Sequence, residues 1–205
     1  ADLGAGSLIK KVGGTVAPSG GYVAGRADLV DQACCRLTAP GIGREGGTGF
    51  DLQRLVLQGL FLAPQMVAEA LIGADLVAGV FERLGFAVQP RPGAVRSDLI
   101  QAVCLGSPEA LKTVCRAFQA CSPVGAYLDP VPAAMPGYAS DLMMAGGTFI
   151  DGSTSEFSAD APLREPFNLF VQGGTHRAHI QLALAEALTA LDAAGLINLP
   201  QTEII

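Results

Sequence analysis

A chain of 205 residues is long enough to bury the core of one large or two small domains. Hydrophobic residues make up 50% and charged residues 16%, so the chain folds rather than staying disordered. A net charge of −6, with no basic run interleaved with aromatics, argues against nucleic acid as a partner. The chain opens with Ala1 and shows no charged-then-apolar leader of the signal-peptide kind. Its five cysteines, Cys34, Cys35, Cys104, Cys115 and Cys121, are odd in number and lack CxxC spacing. They read as reduced thiols of a cytoplasmic protein, buried as small apolar residues.

In chain order, residues 5–14, AGSLIKKVGG, come first: a short apolar run delivers Lys10 and Lys11 into a glycine turn. An amine leaving an apolar strand end is poorly solvated, which disfavours its charged form, so Lys10 is the candidate nucleophile of Schiff-base type. Ser7 can offer a hydroxyl to a bound phosphate, and Gly13 and Gly14 let the backbone turn closely beneath a flat ligand. The alternative is a strand that simply ends in solvated lysines. Residues 15–25 read as a turn and a short buried strand. The spacing of Leu29, Val30, Ala33 and Leu37 predicts a helix over 27–37. Arg26, just before it, reads as an anion contact or as a surface ion pair with Asp28 or Asp31.

Residues 38–49 form a glycine-rich connector before Asp51, which reads as a helix N-cap. Gly46, Gly47 and Gly49 offer a phosphate cradle in principle, without the lysine or preceding strand of a P-loop. From 52 to 85 the pattern is helical, expected to break or kink at Pro64 and near Gly73 and to stop at Gly85. Its first part, LQRLVLQGLFLA, is apolar on most sides and predicts a helix buried between elements or at a subunit interface. Arg54, Gln58 and Gln65 interrupt it short of the roughly 20 apolar residues of a membrane span.

From residue 86 the pattern reads β-α-β-β-α, with strands at 99–105, 143–150 and 167–172 and helices at 107–121 and 178–191. Ser107 and Pro108 make a good start for the first of these helices. The proline-dense run SPVGAYLDPVPAAMPGY, residues 122–138, has no periodicity and reads as an active-site wall or an interface. Arg164, in SADAPLREPF, is a candidate to grip a substrate α-carboxylate through two parallel hydrogen bonds, or else pairs with Asp160 or Glu165. His176 and His179 sit three apart, as metal ligands on one helical face would, but lack a third ligand and read as a polar helix start; no metal is expected. Tyr22, Tyr127 and Tyr138 carry no clear role, and Asp151, Glu156 and Asp160 read as solvated loop acids.

Taken as one piece, GSLIKKVGGTVAPSGGYVAGRADLVDQACCRLTAPGIGRE (6–45) resembles the methionine gamma-lyase family of cystathionine beta-lyase-like, aluminium-resistance proteins. These are pyridoxal-phosphate enzymes of fold type I. The likeness continues through LVLQGLFLAP (55–64), FAVQPRP (86–92), SDLIQAVCLGSPEAL (97–111), MPGY (135–138) and SADAPLREPF (158–167), nearly to the last helix. It implies an α/β chain: residues 1–85 as part of the fold type I large domain, and 86–205 as a smaller α+β C-terminal domain. Such a chain corresponds to the C-terminal half of a longer one. The lysine of GSLIK binds the cofactor in that family, which places the Schiff base on Lys10 and not Lys11. Ile9 stands where many relatives carry a hydroxyl, which leaves Ser7 as the side-chain phosphate contact.

The implied activity is a carbon–sulfur lyase acting on a small sulfur amino acid of the cystathionine or methionine kind, with the freed lysine removing the Cα proton. Arg164 would hold the carboxylate by analogy with fold type I enzymes. The resemblance further implies a cytoplasmic homo-oligomer, dimer or tetramer, with no membrane partner. Two other readings stay open: another pyridoxal-phosphate reaction such as racemisation or γ-replacement, and a silent truncated chain that acts as an assembly partner. The last arises because the partner of the pyridine nitrogen, the ring-stacking aromatic and the main phosphate loop lie upstream in such enzymes.

Overall fold

An antiparallel hairpin opens the chain in the computed structural model, which describes residues 1–47 and 49–198. Strand β1 (Leu3–Ser7) pairs with β2 (Gly21–Gly25), Leu3 opposite Gly25 and Ser7 opposite Gly21. The hairpin closes where Leu8 N donates to Gly20 O at 2.9 Å. Between the strands the chain winds through a 3-10 turn, Lys11–Gly13, and leaves it at Gly14 with φ 58°. Gly13 is required there, because a Cβ on it would stand 1.7 Å from the Leu8 carbonyl oxygen. Helix α1 (Ala27–Leu37) follows as its periodicity predicts, and Arg26 donates to Asp28 through Nε (3.1 Å) and Nη2 (2.7 Å), an exposed pair. The strand expected to be buried is instead mostly exposed, with only Val23 half-buried, because a two-stranded hairpin has no third strand to cover it among the described residues.

Helix α2 (Gln53–Arg83) runs unbroken through Pro64 and Gly73, where the pattern predicts a break or a kink. A proline removes one N–H and so costs the Leu60 carbonyl its helical partner, which a helix this long can absorb. Gly73 serves packing: a Cβ there would lie 2.0 Å from Ile180 Cδ1. Asp51 does not cap the helix, since it sits at φ 56° in the turn before it. The chain divides into two compact units, 1–65 and from 66 onward, and the division falls within α2.

By length and composition α2 is apolar enough to cross a membrane, with a mean hydropathy of 1.6 in its most apolar window. Its second half, however, supplies Ala70, Ala74, Val77, Ala78 and Phe81 to the second unit's core. Its first half, which the pattern predicts to be buried between elements or at a subunit interface, leaves Leu57, Leu60 and Phe61 exposed in this chain, Phe61 at 83%.

The second unit is built on a five-stranded antiparallel sheet in the order β3-β4-β7-β6-β5. The strands are β3 (Ala87–Gln89), β4 (Gln101–Cys104), β5 (Leu142–Gly146), β6 (Ser158–Pro162) and β7 (Asn168–Gln172). Helices α3 (Pro108–Ala120) and α4 (Arg177–Ala193) share a core with the sheet. Alternation along the strands buries Met143, Ala159, Ala161, Val103, Leu169 and Val171. On the other face Ala102, Phe170, Asp160 and Met144 stand in register across four strands. Ser107 Oγ accepts from Ala110 N at 3.1 Å, the N-cap the sequence calls for.

Strand β6 carries no strand signal in the sequence pattern. Its small residues SADAP carry no β-branched signal, and its strand character comes from ladders on both sides. Asp160 therefore lies on a strand, and Glu156 is buried, accepting from Ser153 Oγ at 2.9 Å, so neither is a solvated loop acid. The proline-dense loop after α3 is irregular as expected. Arg116 holds it through Asp129 at 2.7 Å, and Gln119 donates to Gly125 O while accepting from Gly146 N, both at 2.8 Å. Of the five cysteines only Cys115 is buried, its thiol pushed up to about 12 by burial; Cys35 is exposed.

One long-range ion pair ties α2 to α4. Glu69 receives Arg177 Nη2 at 2.6 Å, Nε at 3.1 Å and the Arg177 backbone N–H at 2.7 Å. These bonds, the guanidinium's first, pull the Glu69 carboxyl from its ordinary 4.5 to about 2. A carboxylate with a depressed folded-state pKa stabilises the fold above its unfolded pKa and loses that contribution as pH falls through the folded value. The wild-type urea-unfolding midpoint is thus expected to fall between pH 4.5 and about 2, and the slope in that window to flatten in Glu69→Gln. An equal slope in both proteins would contradict the assignment.

Candidate functional site

Ser7 ends β1, and its Oγ accepts from Ile9 N at 3.3 Å, leaving the hydroxyl hydrogen to be donated elsewhere. Lys10 caps the 3-10 turn, and its carbonyl accepts from Gly13 N at 3.0 Å. The same turn therefore carries both residues, with Gly13 and Gly14 completing the bend. The expected desolvation of Lys10 is corrected: its side chain is exposed in this unit, since the apolar run feeding it is an exposed strand followed by half-buried Leu8 and Ile9. An apolar cleft of about 560 Å³ lies between the hairpin and α1, lined by Ala5, Gly6, Tyr22, Val23, Val30 and Leu37 among others, and Lys10 is not in its wall. The Tyr22 ring covers Gly6, where a Cβ would meet it at 2.7 Å.

Arg164 belongs to the second unit, in the turn from β6 to β7. Its N–H donates to Pro162 O at 2.9 Å and its carbonyl accepts from Phe167 N at 2.8 Å, with Phe167 held at φ 60°. The side chain is exposed. The two histidines serve separate duties. His176 caps α4, its Nδ1 accepting from Ala178 N at 3.1 Å, and His179 Nε2 meets Cys121 O at 2.7 Å.

A group the sequence reading passed over is Arg96, whose side chain is 6% exposed. Its Nη2 donates to Gln101 Oε1, while its Nε and Nη1 have no partner among the described residues. No local spacing marks it, because it stands in a Pro/Gly-rich loop where an arginine is ordinarily solvated.

A family model described as methionine gamma-lyase matches residues 1–192. A protein of Listeria monocytogenes given the provisional name cystathionine beta-lyase involved in aluminum resistance is 46% identical over 93% of this chain and 47% of its own, with a TM-score of 0.90. A carbon-sulfur lyase involved in aluminum resistance from Clostridium novyi NT is 42% identical over 93% of this chain and 44% of its own, with a TM-score of 0.87. Uncharacterized protein YnbB of Bacillus subtilis (strain 168) is 45% identical over 191 residues, 93% of this chain and 45% of its own. The chain thus spans about half the length of these three relatives.

Proposed function

This chain belongs to the methionine gamma-lyase family, and on that premise we propose that it carries the cofactor lysine of a pyridoxal-phosphate-dependent carbon–sulfur lyase acting on small sulfur amino acids. The observation that carries the reading is the turn itself: GSLIK ends a strand with a donating hydroxyl at Ser7 and an exposed primary amine at Lys10, above glycines that admit no side chain at Gly13. That donor set fits pyridoxal phosphate, an aldehyde with a phosphate arm. When bound, the group supplies an electron sink for bonds broken at the substrate Cα.

Lys10 Nζ is the covalent holding point and, once released, the base that takes the Cα proton. Ser7 Oγ–H donates to the phosphate. Arg164 meets the substrate α-carboxylate with two parallel N–H groups, which orients the bond to be broken. The fold type I architecture, as a large-domain portion and a small C-terminal domain, is part of the same proposal and draws on the family. So does a homo-oligomer, while a cytoplasmic location rests on the unpaired cysteines and the absence of nucleic acid and membrane partners on the charge and pattern of the chain. The exposed Leu57, Leu60 and Phe61 support self-association.

Mixing the purified chain with pyridoxal phosphate is expected to give a visible absorption band and, after borohydride, a mass gain confined to the peptide containing Lys10. Release of thiol and keto acid from cystathionine or methionine then distinguishes a lyase from a racemase, which inverts Cα and frees no thiol. A chain that shows neither band nor mass gain is not a cofactor carrier, which leaves the assembly-partner reading.

A further inference from the structure

We propose that the cleft between the middle of α2 and the loop preceding β4 is a second small-ligand site, which takes the α-carboxylate and α-ammonium of an apolar amino acid. The cleft holds about 390 Å³ and is lined by Leu71, Ile72, Asp75, Gly93, Ala94 and Arg96. All six residues belong to the second unit, so the site does not depend on Lys10 or on the lyase reading.

Its chemistry follows from how Arg96 is held. Gln101 is fully buried, and its Nε2 donates to both Pro90 O and Ala102 O at 3.0 Å. The Gln101 Oε1 is thereby fixed as the acceptor for Arg96 Nη2, and this bond anchors one corner of the guanidinium. Nε and Nη1 keep their hydrogens without partners in a side chain that is 6% exposed. Donors shielded from water in this way favour an acceptor strongly, and either of them, taken with the second hydrogen of Nη2, presents two parallel N–H groups to the two oxygens of a carboxylate.

Asp75 supplies the other charge. Its Oδ1 accepts from Gly93 N at 2.7 Å and lies 3.9 Å from Arg96 Nη2, too far for a hydrogen bond. The carboxylate is half exposed. A cation and an anion paired at 3.9 Å without a hydrogen bond between them suit a zwitterion; a phosphate dianion would be repelled by Asp75. Leu71, Ile72 and Ala94 give the remaining wall an apolar character suited to an aliphatic side chain. Ala94 and Val95 beside Arg96 are exposed, Val95 completely at 101%, so this part of the loop yields to an entering ligand without unpacking the core.

The test is calorimetric titration of the full chain, free of pyridoxal phosphate, with L-leucine, with 4-methylpentanoate (no ammonium) and with isoamylamine (no carboxylate). L-leucine is expected to bind at least about tenfold more tightly than either analogue. Arg96→Lys and Asp75→Asn should each weaken it about tenfold or more, and Lys10→Ala should leave it unchanged. If Arg96→Lys does not fold, Asp75→Asn and the two analogues carry the test. Absence of binding, binding indifferent to Asp75 or to a folded Arg96→Lys, equal binding of the analogues, or loss of binding with Lys10→Ala would each overturn the proposal.

Discussion

Replacing Lys10 by alanine is expected to reduce thiol and keto-acid release by at least about 10³-fold, because one side chain acts both as the holding point and as the base. The borohydride-fixed mass on the peptide containing residue 10 should vanish with it. Lys11 is the internal control. It begins the 3-10 turn, one residue further on and half-buried, so Lys11→Ala should keep the fixed mass on Lys10. Lys10→Arg should behave like the alanine variant, since an arginine keeps the positive charge but not a deprotonatable amine. Retention of the mass in Lys10→Ala, or its movement to Lys11, would assign the chemistry to a different amine and undo the proposed function.

Phe81→Ala is expected to destabilise the second unit by about 3–5 kcal/mol, the range for deleting a large aromatic from a packed core. Phe81 is fully buried on α2, with its ring edge-on to Phe86 at 5.7 Å between centroids. It also touches the cluster formed by β4, β7, α3 and α4, so nothing nearby can collapse into the space it would leave. Leu182→Ala, on the outer side of α4 where the leucine is 67% exposed, should change stability by no more than about 0.5 kcal/mol. Urea unfolding at neutral pH measures both. Equal effects would mean that α2 does not contribute to this core.

Helices α1, α3 and α4 were legible because their signals are local: apolar residues at helical spacing, and for α3 the Ser107–Pro108 start. The turn that carries Lys10 was legible through its glycines, Gly13 and Gly14. What failed to show in the sequence was whatever depends on partners far along the chain. Strand β6 acquires its conformation from ladders on both flanks, and its composition of serine, alanine, aspartate and proline hides it. Glu69 finds Arg177 across 108 residues, a separation no pattern encodes. The exposure of Lys10 and the burial of Arg96 run opposite to each residue's surroundings in the sequence, an apolar run for one and a polar loop for the other. Burial of a charged side chain is settled by what folds over it, which spacing along the chain does not report.

Gln119 bridges the loop after α3 and the end of β5 through opposite ends of one amide. Glutamate there would set an oxygen against the Gly125 carbonyl, leucine would orphan both backbone groups, and asparagine falls a methylene short of the span. Chemical ageing therefore has a foothold at this residue: hydrolysis of a single amide to an acid, with hardly any change of shape, turns a clasp into a repulsion.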